Sequence, residues 1–159
     1  MTQKALLQSA GDGSAIAAGY VGQVIQSDLS TTVSITSATE SDVSGLNITL
    51  TPGVWMITYS LSADITSSTS NGHTNGLVTR ITDSFDNILG NSRRCLYVKN
   101  SGSGTNADIV STLHANEITS ISSNTTFKIR ARILNTASTG TLFQDTTYGG
   151  CKFMAIRIA

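Results

Sequence analysis

From Thr51 to Ile65 apolar and polar side chains alternate without a break: Trp55, Ile57, Tyr59, Leu61, Ala63 and Ile65 share one parity, and Thr58, Ser60, Ser62 and Asp64 the other. Successive side chains of a strand point to opposite faces, whereas a helix groups positions three and four apart. The run is therefore a strand with one face on a core, and Pro52-Gly53 turns the chain into it. The same reading places strands over residues 20–25, 33–35, 46–50, 77–81, 94–98, 109–114, 127–134 and 151–158, divided by segments rich in Gly, Ser, Thr, Asn and Asp. Short strands at this spacing, a single proline and no sustained helical period predict an all-β fold, an antiparallel β-sandwich or jelly roll.

Two strands say more than their existence. Phe127, Ile129, Ala131 and Ile133 alternate with Lys128, Arg130 and Arg132, giving a core face and a basic stripe. That stripe reads equally as a solvated face that discourages edge pairing or as a contact for acidic groups on a neighbouring subunit. In the last strand Phe153 and Ala155 face one way while Met154, Ile156 and Ile158 face the other, so both faces ask for cover. Val54 and Met56 repeat this at the start of the Trp55 strand. A sandwich covers one face only, so Val54, Met56, Met154, Ile156 and Ile158 call for a loop, a terminal arm or another subunit over them, and a subunit contact is the favoured reading.

Composition sharpens that expectation. The 159 residues suit one domain, with 39% hydrophobic and only 13% charged side chains, and ten basic and ten acidic groups cancel. A neutral chain with 6% aromatics has neither the field nor the stacking platform of a nucleic-acid binder. Little charge on many strands leaves sheet edges to be hidden, and a closed oligomer hides them. No segment has the apolar length of a membrane span. The start, Met1 to Gln8, holds one basic residue and an apolar pair rather than a secretory h-region, which predicts synthesis in the cytoplasm and leaves Asn47-Ile48-Thr49 and Asn124-Thr125-Thr126 without glycans.

Candidate chemistry is sparse. His73 and His114 stand apart, Asp64, Asp83, Asp86, Asp108 and Glu117 are scattered, and no spacing offers nucleophile, base and orienter. Cys95 and Cys151 lack any CxxC spacing; they read as two buried thiols or as a disulfide between neighbouring strands. No catalytic residue, no cofactor and no metal ligand is assigned. Binding surfaces are the remaining candidates. Residues 1–19 read as an arm before the domain of residues 20–159, because Gln8 to Ser14 is small and flexible in composition; the arm is either a disordered terminus or a strap, with Lys4, Leu6 and Leu7 as its gripping side chains. The polar loops at 67–76 and 99–106 put Asn71, His73, Asn75, Asn100 and Asn106 forward as contacts for a receptor.

The segment Pro52-Gly53-Val54-Trp55-Met56-Ile57-Thr58-Tyr59 resembles the central strand of the tumour-necrosis-factor and complement-head superfamily, and Tyr148-Gly149-Gly150-Cys151-Lys152-Phe153-Met154-Ala155-Ile156 resembles its closing strand. Ala17 to Ile25 is similar to the entry of related domains in bacteriophage fibre, knob and head-decoration proteins. The resemblance spans most of residues 20–159 and implies a homotrimeric jelly roll in a virion. The trimer would close over the uncovered apolar positions, with Lys128, Arg130 and Arg132 set against acidic groups next door. The chain shows neither the signal peptide, collagen stalk and membrane anchor of animal members nor the heptad shaft of a long fibre. What the resemblance then implies is a non-enzymatic bacteriophage structural protein, a capsid decoration or cement protein whose partners are itself and the major capsid protein or another virion protein. The alternative is a fibre or tail-tip knob that binds a host-surface receptor.

Overall fold

The computed structural model describes residues 18–67, 74–99, 107–135, 138–144 and 149–159, and the described residues form strands and turns with no helix. In chain order the strands are β1 (Val24–Asp28), β2 (Val33–Ile35), β3 (Ser41–Leu50), β4 (Gly53–Ser67), β5 (Thr74–Asp83), β6 (Arg94–Lys99), β7 (Ala107–Ile121), β8 (Thr125–Ile133), β9 (Ser138–Leu142) and β10 (Cys151–Arg157). The protein is all-β, and its antiparallel strands form two sheets in a sandwich.

Strand β4 organises the larger sheet. One edge takes β7 along its whole length, from Gly53 opposite Ile121 to Ser67 opposite Ala107. The other edge is shared end to end by β10, opposite Trp55–Leu61, and by β9, opposite Ala63–Ser67. Beyond these lie β1 on β10 and β2 on β9. The smaller sheet runs β3-β8-β5-β6. Long-range pairing is nested: β1 with β10, β3 with β8, β4 with β7 and β5 with β6.

The alternation along β4 does what its period requires. Trp55, Ile57, Leu61, Ala63 and Ile65 are fully buried and Tyr59 nearly so; beside Phe153 and Ala155 of β10 in the same sheet, they form one core with Leu77 and Ile81 of β5 and Ile129, Ala131 and Ile133 of β8. The two polar groups carried in are satisfied. Trp55 Nε1 donates to Thr51 O at 2.9 Å, and the Tyr59 hydroxyl lies 3.0 Å from both Thr79 Oγ1 and Ser92 O. Burial pushes that phenol up to about 12. The Pro-Gly entry has its own reason: Gly53 has φ of 151°, and a Cβ there would lie 2.6 Å from the Arg157 guanidinium packed beside it.

Three departures from the sequence expectation have a clear physical reason. The first strand starts at Val24 rather than at 20, because Gly19 and Gly22, with φ of 88° and 90°, turn the chain and leave Tyr20 and Val21 exposed. Strand β7 continues past His114 to Ile121, since β4 offers a full-length edge. Strand β9 has no counterpart in the hydrophobic pattern, because its inward positions are Ser138, Gly140 and Leu142. Of the arm assigned to residues 1–19, only the turn residues 18 and 19 lie among the described residues.

Candidate functional site

The inner face of the larger sheet is filled by the core, so its outer face is what remains for a partner. Register carries an apolar row across four strands of that face: Val24 lies opposite Ile156, Ile156 opposite Met56, and Met56 opposite Ile118. At about 4.8 Å between strands the row is about 14 Å wide. Met154 stands in the adjoining row between Gln26 and Thr58, and Val54 in the row on the other side beside Ser120. Ile158 donates its amide to Val54 O at 2.8 Å and closes the patch at the C-terminal end. Val24 is 55% exposed, Ile118 66% and Ile158 41%, whereas Val54, Met56, Met154 and Ile156 are half-buried.

All five apolar residues nominated from the sequence therefore fall on one face. Val24 and Ile118 belong with them and were missed. Val24 joins the row only through the pairing of β1 with β10, and Ile118 lies in the part of β7 that the pattern did not extend to.

The basic stripe stands elsewhere. Lys128, Arg130 and Arg132 lie on the outer face of the smaller sheet, away from the apolar row, and two of them are occupied by acids of their own chain. Lys128 Nζ is 3.0 Å from Asp42 and 2.8 Å from Asp86; Arg130 is 3.0 Å from Asp42 and 2.8 Å from Asp86. Glu40 pairs with Arg80, and its backbone oxygen accepts from Arg130 at 2.9 Å. A hydrogen bond from Lys128, helped by Arg130, holds the Asp86 carboxyl below its ordinary value, and the Asp86 and Asp42 carboxylates raise Lys128.

Among the receptor residues, Asn75 needs correction. It is fully buried in β5, donating to Ser67 Oγ at 2.5 Å and accepting from Ser138 Oγ at 2.7 Å, so it ties three strands together from within. Asn71, His73, Asn100 and Asn106, and the arm residues Lys4, Leu6 and Leu7, lie outside the described residues. Both cysteines are free thiols. Cys151 is buried on the larger sheet, where burial pushes it up to about 11, and Cys95 is half-buried on the smaller one. Among the described residues no three His, Cys, Asp or Glu side chains gather closely enough to share a metal ion.

A carboxyl pair marks the far end of the apolar face. Thr66 Oγ1 sits 3.4 Å from Asp64 and 3.5 Å from Asp108, and Asp64 Oδ1 is shielded from solvent with no donor. Burial first, then the neighbouring Asp108, pushes Asp64 up to about 7. A carboxyl raised in this way binds its proton more tightly folded than unfolded. Its contribution to stability is therefore full below the unfolded value of 3.8 and is lost as pH rises through about 7. Urea midpoints should fall between about pH 4 and about pH 7, and Asp64→Asn should flatten that fall; parallel curves for the two proteins would remove Asp64 as the cause.

No protein-family model matches this chain, and no curated protein sequence matches it either.

Proposed function

We propose that the protein is a non-enzymatic structural component of a bacteriophage particle, a homotrimeric jelly roll that decorates and cements the head. One observation carries the reading: a sheet whose inner face is already filled by its own core presents a second apolar row across four strands, with Val24 and Ile118 more than half exposed. Such a patch marks a protein contact, and a second and third copy of the same chain are the partners that close it by symmetry. The nested strand pairs support the jelly roll, since they are the pairs of one long hairpin rolled into two sheets. The resemblance of the Pro52–Tyr59 and Tyr148–Ile156 segments supports trimeric order, and that of Ala17–Ile25 supports the virion setting.

A tail-tip or fibre knob that binds a host receptor is the second reading. It is favoured by Phe85, which is 84% exposed on a braced loop and has no role in a buried core. Antibody labelling of particles in electron micrographs separates the two. Label spread over the capsid surface supports cementing, label at the tail tip or fibre ends supports the knob, and unlabelled particles overturn both.

A further inference from the structure

We infer that the cleft between the β5–β6 loop and the β7–β8 turn is a binding site for a single neutral sugar ring, with Phe85, which lies on the loop between the lining residues Asp83 and Asn87, as its aromatic platform. The cleft lies at the end of the sandwich away from Ser67 of β4 and Ala107 of β7, and it holds about 300 Å³. That is the lower end of the range of about 300–1,000 Å³ for small-molecule sites, a size for one ring rather than an extended chain. Asp83 and Asn87 line one bank, Ser120, Ser122 and Ser123 the other, and Phe127 and Ile121 form part of an apolar wall.

The bank that carries Phe85 is pre-organised. Asp83 Oδ1 accepts from the amides of Phe85 at 2.8 Å and Asn87 at 2.9 Å, Asp83 Oδ2 accepts from Asn87 Nδ2 at 2.9 Å, and the Asp83 amide donates to Asn87 O at 3.0 Å. Asp86 takes the left-handed conformation, φ 67°, and is held by Lys128 and Arg130. Asn91 N donates to Glu117 at 2.8 Å, tying this loop to β7 on the opposite bank. A large apolar side chain left in water on a loop this firmly held loses little further freedom on binding, which is what a ligand platform requires.

The lining selects the ligand class. No Lys, Arg or His lines the cleft, and its one charged group is Asp83. Burial alone would raise that carboxyl, but the hydrogen bonds from Asn87 and Phe85, with Lys128 nearby, hold it below its ordinary value and so ionised. Phosphates, sulfates and acidic sugars would meet a like charge there with no cation in the lining, since Lys128 and Arg130 are engaged by Asp86 and Asp42. Serine hydroxyls both donate and accept, and so do the hydroxyls of a sugar; a carboxylate with most of its acceptor capacity used still accepts one further hydrogen bond from a hydroxyl. A sugar ring also has a face of C–H groups that packs on an aromatic ring, the part given to Phe85.

The inference stands apart from trimer formation and can fail without touching it. Its test is saturation-transfer NMR on the full chain with the methyl glycosides of glucose, galactose, mannose and N-acetylglucosamine. At least one should give a saturable signal with a dissociation constant in the millimolar range. Phe85→Ala should weaken it about fivefold or more, and Ser122→Leu, which places bulk on the opposite bank, should abolish it. Both substitutions fall on exposed loop positions, and an unchanged circular dichroism spectrum shows that the fold is kept. The inference is overturned by no saturable signal from any of the four up to about a hundred times 1 mM, or by a signal that both variants leave unchanged.

Discussion

On the trimeric reading proposed above, replacing Ile156 by Asp should turn an assembly of three times 16.6 kDa into a folded single chain of 16.6 kDa. Ile156 sits mid-row, with Val24 on one side and Met56 on the other, so any copy covering this face must cover it too. A carboxylate trapped there loses its hydration with no cation opposite, a cost of several kcal/mol per ion, and the three-fold arrangement repeats it in every copy. In the single chain the same carboxylate points outward from the sheet and is wet. There the change costs no more than about 1 kcal/mol of strand preference. Light scattering after size exclusion reads the mass, and circular dichroism reads the fold. A wild-type protein that is already a single chain, or a variant that stays assembled, would end the trimeric reading.

What the sequence revealed, and what it hid, divides along one physical line. Features set by neighbours along the chain were legible. Six apolar residues from Trp55 to Ile65 at period two could only be a strand on a core, and Phe153 and Ala155 against Met154 and Ile156 did expose the two-faced last strand. Features made by register between remote segments were not. Nothing near Met56 announces that Ile118 will lie opposite it, sixty-odd residues later, and so the row could be seen only in part. Asn75, next to a glycine in a polar run, reads as loop; its burial depends on Ser67 and Ser138, which arrive from β4 and β9. Strand β9 hides for the converse reason, since Ser138 and Gly140 are small enough to face inward where large side chains from other strands already fill the space. Phe85 has no signal in its neighbours either, since the turn built on Asp83 is what leaves it in solvent.

The basic stripe shows what that distinction costs in prediction. Seen alone, Lys128 and Arg130 are free cations, and reversing Arg130 should loosen an assembly. In the fold Arg130 lies among Glu40, Asp42 and Asp86, which come from the start of β3 and the β5–β6 loop, and its side chain is 16% exposed against 12% for Glu40. Arg130→Glu would set a fourth carboxylate among three with one cation fewer to hold them, and would release the loop that Asp86 anchors. Breaking a largely buried pair costs about 3–5 kcal/mol. The lower end is the ceiling here, because Asp42 and Asp86 are about half exposed and can rehydrate and Glu40 stands 3.9 Å away. About 3 kcal/mol lowers the melting temperature of a domain this size by about 6–12 °C. Arg130→Met keeps the apolar stem, adds no negative charge and should lose distinctly less. The melting temperature should therefore fall in Arg130→Glu while its mass at low temperature stays that of the wild type. A variant that dissociates but melts as the wild type does would instead make the stripe a contact between subunits.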